Sequence, residues 1–248
     1  MRNVKLTLAY DGTDFAGWQV QPDQPTVQAT LADAIERVCG ERVVPHGSGR
    51  TDAGVHAFGQ VANFALASII PVERLRFALN NTLPATVRVL SVEEAPLDFH
   101  ARKSAKAKTY RYRISRSEIT SPFVARYVWH YPYPLNENAI HGAADVVVGE
   151  HDFTSFAAVD AEKGREADSN VRTIFSSAWR REQNELVYEV RGAGFLHHMV
   201  RNLVGTFVLV GKGTINGSEF AEILAAKNRS LAGPTAPARG LALLQVEY

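Results

Sequence analysis

Residues 4–40 read VKLTLAYDGTDFAGWQVQPDQPTVQATLADAIERVCG, and their pattern sets the fold class. Val4, Leu6, Leu8 and Tyr10 alternate with Lys5, Thr7 and Ala9, the period-2 signature of a half-buried strand, and Asp11-Gly12 closes it. Thr26 then stands where a helix N-cap is wanted. Val27, Leu31, Ile35 and Val38 recur at helical spacing to Cys39, and Gly40 supplies a stop. Outward from this β-α start, residues 42–47 form a short strand candidate that enters a glycine-rich loop, and 60–66 form another strand. Pro71 suits the first turn of a helix carrying Val72, Leu75 and Leu79. Residues 86–92 return as a strand. The order β-α-β-β-α-β is that of the ferredoxin-like split unit.

The second half continues in the same α+β style without a sequence repeat. Strands are predicted over 108–115, 127–131, 171–180, 186–191 and 241–248. Asn136 is placed to cap a helix running to Val148 and stopped by Gly149. A long apolar helix is expected over 195–210, and a shorter one capped by Ser218 ends near Asn228. Residues 161–169 are polar with one glycine and read as a mobile loop. A boundary near 103–107 divides the chain into an N-terminal lobe over 1–105 and a C-terminal lobe over 106–240.

Composition narrows the function classes. Hydrophobic residues make up 46% and charged residues 21% of the 248, which supplies a core and argues against disorder. The longest apolar stretch, 203–210, is broken by Gly205 and Thr206 and is far shorter than the roughly 20 residues of a membrane-spanning helix. The opening MRNVKLTLAYDG has neither signal-peptide nor transit-peptide character. Cys39 is the only cysteine, which excludes an internal disulfide and a cysteine-based zinc site and fits a reducing cytoplasm. Net charge is +1, so the whole-chain balance says nothing of a nucleic-acid partner. Distribution says more. Arg102, Lys103, Lys106, Lys108, Arg111, Arg113 and Arg116 follow one another with no acid between them, interleaved with Tyr110 and Tyr112. Such a run is either a solvated face or a surface for phosphates and unstacked bases.

The chemistry-bearing segment is GSGRTDAGVHA, residues 47–57. Its glycines permit tight turns and close approach of a ligand. Arg50 and Asp52, two apart, point the same way in an extended stretch, and small Thr51 and Ala53 leave room beside the Asp52 carboxylate. An Asp among glycines also caps turns, and spacing alone does not choose between the two roles. A phosphate-binding GxxxxGK[ST] loop is absent, and a DxDx[TV] phosphatase run would need a second Asp.

GRTDAGVHA (49–57) followed by FGQVANF (58–64) resembles the signature of the tRNA pseudouridine synthase A family. FHAR (99–102), KTYRY (108–112), GEHDFTSF (149–156), VRTI (171–174), GFLHHMVRN (194–202) and APARGL (236–241) extend the resemblance in order through nearly the whole chain. Lys103 and His197 depart from the family pattern. The resemblance implies two ferredoxin-like lobes whose antiparallel sheets meet at a basic active-site cleft, with the last strand, 241–248, joining the N-terminal lobe. It implies isomerisation of uridine to pseudouridine at tRNA positions 38, 39 and 40, in a cytoplasmic homodimer that uses neither cofactor nor metal. Carried over residue by residue, it makes Asp52 the catalytic carboxylate, Arg201 its cationic partner and Tyr110 a ring that stacks on uracil. It also makes Arg50 an RNA contact, while Lys106, Lys108, Arg111 and Arg113 are candidates for the RNA backbone.

Each role has a plain structural competitor. Arg201 on an apolar helix is also where a long side chain runs its head out to water, and Tyr110 is also a sheet tyrosine packed in a core. His197 and His198, adjacent on a helix, are expected about 100° apart and so not to share one metal. The rival functions are a non-catalytic RNA-binding protein and a small-molecule hydrolase with an Asp nucleophile.

Overall fold

The computed structural model describes residues 1–158 and 169–248. The loop expected over 161–169 lies, apart from Ser169, outside them. In chain order the elements are β1 (Arg2–Tyr10), α1 (Val27–Cys39), β2 (His46–Gly47), β3 (His56–Leu66), α2 (Val72–Thr82), β4 (Val87–Ala95) and β5 (Ala107–Ser115). There follow β6 (Trp129–His130), α3 (Glu137–Asp145), β7 (Gly149–Asp152), β8 (Val171–Glu182), β9 (Glu185–Gly192), α4 (Met199–Gly211), α5 (Gly217–Ala225) and β10 (Leu241–Glu247). The fold is α+β, in two compact units: 1–106 with 242–248, and 107–241.

In the first unit the strands stand in the order β4-β1-β3, with β2 and β10 sharing the outer edge of β3. β1 runs antiparallel to both neighbours, and β2 antiparallel to β3, which is the 4-1-3-2 order of the split βαββαβ unit. Val4, Leu6 and Leu8 lie wholly buried on one face of β1, with Leu31 and Ile35 of α1 and Leu75 and Leu79 of α2. Thr26 caps α1 by accepting from Ala29 N–H, and Gly40 ends it at φ 70°, a left-handed turn that costs glycine nothing. The strand expected over 42–47 shrinks to two residues, because Pro45 has no N–H to give a ladder.

The second unit has a sheet ordered β5-β9-β8-β7, antiparallel throughout, with β6 on the other side of β5. β5, β9 and β8 repeat the 1-3-2 part of the same motif. Its core gathers Tyr188 and Trp179 of the sheet, Phe207 of α4, Phe220 of α5 and Phe156 of the 3-10 turn Thr154–Phe156, with neighbouring rings 4.9–5.9 Å apart. Several elements differ from expectation. The strand foreseen over 127–131 is a 3-10 turn, Ala125–Tyr127, and the two-residue β6, since Pro132 and Pro134 remove the next donors. Asn136 caps α3 as expected, but that helix stops at Asp145. Asn216, not Ser218, caps α5, through a capping box with Glu219.

The helix foreseen over 195–210 begins only at Met199, after His198 takes a left-handed φ of 59°. A turn precedes it, with Met199 N–H donating to Leu196 C=O, and Phe195 is drawn edge-on to the Tyr110 ring, centroids 5.0 Å apart. The His197 and His198 rings therefore lie side by side, 3.9 Å apart, rather than splayed along a helix. Helical spacing gives no reason to keep them from a shared partner.

Candidate active site

The loop joining β2 to β3 carries Arg50 and Asp52, and buried polar groups of the first unit hold it on both flanks. Gln60, wholly buried on β3, accepts from Ser48 Oγ at 2.6 Å and donates to Gly49 C=O at 3.0 Å. Tyr10 shares a 2.9 Å hydrogen bond with Thr51 Oγ1 and also accepts from Gln60. Burial pushes the Tyr10 phenol up to about 12, so it stays neutral and keeps its proton in this network. Trp18 N–H donates to Thr51 C=O, and Gly54 N–H to Phe15 C=O. Downstream, Gly12 N–H donates to His56 Nδ1 at 3.0 Å.

Between these anchors the loop presents its side chains in alternation: Arg50 exposed, Thr51 buried, Asp52 half-buried. The Asp52 backbone carbonyl closes the turn by accepting from Val55 N–H at 3.1 Å. The residues before and after Asp52 are thus fixed by bonds to main chain and to buried side chains, so the backbone that carries the carboxylate is set by the fold. Gly12 is part of this packing: a Cβ there would sit 1.9 Å from Val55 C=O. Gly12→Ala is expected to cost about 1–3 kcal/mol, as overpacking does. A urea midpoint equal to wild type would show that the loop does not rest on this contact.

In the second unit, β5 puts Tyr110 and Tyr112 on the buried face and leaves Lys108 half-buried on the same side. Tyr110 meets Phe195 edge-on. Tyr112 donates to Pro237 C=O at 2.7 Å, and burial raises its phenol further than that of Tyr10. Arg201, in the first turn of α4, donates from Nε to Ala236 C=O at 2.8 Å, and Ala236 N–H returns to Arg201 C=O at 3.1 Å. The arginine is half-buried and bonded to backbone, so its head does not simply run out to water.

The basic run divides. Lys106 is exposed, its N–H paired to Glu247 C=O. Arg113 makes a two-pronged pair with Glu185 at 2.6 and 2.7 Å, and Arg111 reaches Glu189 at 3.2 Å. These acids lie on β9, more than 70 residues on, so two cations of a run with no acid inside it are neutralised across the ladder. Arg50 and Asp52 thus share one loop of the first unit. Tyr110, Lys108, Arg111, Arg113 and Arg201 belong to the second. The residues that inspection of the sequence did not single out are the supports: Tyr10, Ser48 and Gln60 in the first unit and Asn202 in the second. Only a polar Gln60 and Asn202 among apolar neighbours hinted at them.

The family described as tRNA pseudouridine synthase matches residues 7–102 and 143–248. A tRNA pseudouridine synthase A from Solibacter usitatus is 51% identical over all 248 residues, covering the whole of both chains. One from Brevibacillus brevis is 47% identical over the same span, again with full coverage of both. Among solved structures, a Cbf5-Nop10-Gar1 complex aligns with a TM-score of 0.41 at 10% identity, covering 97% of this chain and 48% of that one. The chain spans about half the length of that structure's chain, and a likeness so slight supports no reading of function.

Proposed function

Because this chain belongs to the tRNA pseudouridine synthase family, we propose that it isomerises uridine to pseudouridine at positions 38, 39 and 40 of the tRNA anticodon stem-loop, with Asp52 as the catalytic carboxylate. The observation that carries the assignment is the half-buried Asp52 on a loop pinned at Ser48, Gly49, Thr51 and Gly54. A reacting carboxylate must be held in place before the substrate arrives, and these bonds do so.

The reaction breaks the bond between the sugar carbon and N1 of uracil, turns the base, and rejoins it through C5, whose proton then leaves to water while N1 takes one up. Two balanced routes use one carboxylate. Asp52 attacks the sugar carbon and is later displaced by C5, or it removes a sugar proton and later returns it. A primary isotope effect from deuterium on that sugar carbon's neighbour distinguishes the second route. A stacked, paired uridine hides both reacting edges, so the nucleotide is everted into the site. Tyr110 offers its ring to the uracil, Arg201 supplies a guanidinium as the cationic partner of the carboxylate, and Arg50 fills the gap left in the RNA. Lys106 and Lys108 take the phosphate backbone. Arg111 and Arg113 join them only by giving up Glu189 and Glu185.

No oxidation state changes and no group is lost, so the chemistry asks for no cofactor. Chelation with EDTA is expected to leave the rate of tritium release from 5-tritiated uridine unchanged, and a rate restored only by added metal would contradict this. No helix among the described residues is long and apolar enough to cross a membrane. We place the protein in the cytoplasm as a homodimer, on the family resemblance and on its single, half-buried Cys39. The test of the assignment is to map pseudouridine in tRNA from cells lacking this protein. Positions 38, 39 and 40 should revert to uridine while other pseudouridines persist, and an unchanged map would refute the assignment.

A further inference from the structure

A buried polar hub lies one residue beyond Arg201. Asn202 is wholly buried, and each of its side-chain groups is bonded: Nδ2 donates to Phe156 C=O at 2.7 Å, and Oδ1 accepts from Thr235 Oγ1 at 2.7 Å and Arg229 at 3.0 Å. Thr235 belongs to a strap of extended chain, residues 232–237, laid across α4. Two further bonds tie the strap down, Gly233 N–H to Thr206 Oγ1 at 2.9 Å and Arg229 to Gly233 C=O at 3.0 Å. Gly205 lets it come so close that a Cβ there would lie 1.7 Å from Pro234 C=O.

Near its end the strap carries Ala236, whose carbonyl receives Arg201 Nε and whose N–H returns to the Arg201 carbonyl. The strap therefore holds the Nε edge of the guanidinium, and Asn202 holds the strap at Thr235, one residue before that contact. We propose that Asn202 is a positioning residue for the reaction: through Thr235 and Arg229 it fixes the strap that orients Arg201. Asn202 does not meet the substrate. A buried amide with three bonds made is costly to disturb, and its effect reaches the chemistry through one hydrogen bond at Ala236. The inference rests on the role proposed above for Arg201.

The experiment is a double-mutant cycle on the full-length protein, read as kcat and KM for tRNA by tritium release under single- and multiple-turnover conditions. Asn202→Ala should lower kcat about 100-fold, the scale of a roughly 1 Å misplacement, with KM within about 3-fold. In an Arg201→Ala background the same substitution should cost less than about 3-fold, because the group it positions is gone. Thr235→Val, at a half-exposed site, removes the hydroxyl that donates to Asn202 and accepts from Arg229 at 3.3 Å, and keeps the side chain's shape. It should lower kcat about 5-fold with an unchanged melting temperature, and wild-type kcat in this variant would overturn the proposal even if Asn202→Ala fails to fold. Equal losses from Asn202→Ala in both backgrounds would leave Arg201 its role and overturn the positioning role alone. If Arg201→Ala keeps wild-type kcat, the reading of Arg201 falls and takes this inference with it.

Discussion

Asp52→Asn will bind tRNA with wild-type affinity and lose at least about 10⁴-fold in rate, close to 5.5 kcal/mol at 1.36 kcal/mol per decade. The substitution keeps the shape of the side chain and removes its charge and basicity, so it separates holding the RNA from acting on it. The loop should not move. Its anchors are Gln60 to Ser48 and Gly49, and Tyr10 to Thr51, none of which uses the Asp52 side chain. Filter binding over a salt series and single-turnover tritium release on the same preparation check both halves. The logarithmic salt slope of binding, which counts displaced counterions, should match wild type. Undiminished release would remove Asp52 from the chemistry, and lost binding would make it a structural residue.

Gly205→Ala carries the second large effect, and its sign is the informative part. In a solvent-facing helix the change stabilises by about 1 kcal/mol through helix propensity. Here the new methyl would meet Pro234 C=O at 1.7 Å, a backbone atom that cannot swing aside. Overpacking of this severity costs about 3 kcal/mol or more, so a net loss of roughly 2 kcal/mol is expected. It should appear as a lower urea midpoint at unchanged m. The strap must lift to make room and draws Ala236 away from Arg201, so kcat should fall in the fraction that remains folded. A variant more stable than wild type would mean that the strap does not lie against Gly205.

Local signals carried the sequence reading where one element decides its own fate. Thr26 and Gly40 bracket α1 because a cap and a stop act within a turn of the residues they serve. The alternation over 4–10 marks β1 because its faces differ in burial. Where the outcome depended on distant partners, the sequence was silent. β7 is four residues long and exists because Gly149–Asp152 finds the end of β8. The apolar run from Phe195 looked helical throughout, yet its first residues serve the contact with Tyr110 and leave the helix to begin at Met199. The run of arginines looked uncompensated because Glu185 and Glu189 arrive through strand pairing.

The candidate site divides along the same line. The segment 47–57 stands out in sequence because glycines, an Arg and an Asp are crowded into a few residues. What makes its Asp a fixed group does not stand out, since Tyr10 and Gln60 lie 41 residues from Thr51 and 12 from Ser48 along the chain. Asn202 is hidden for the same reason: its three partners come from Phe156, Arg229 and Thr235. A buried polar side chain announces a network only when the far ends of that network can be seen.

The most direct measurement uses purified wild-type protein and tRNA carrying 5-tritiated uridine, with nucleoside analysis of the product. Tritium should pass to water in step with the appearance of pseudouridine, one for one, without added cofactor. Tight, salt-sensitive binding with no tritium released would contradict the account and leave an RNA-binding protein in its place.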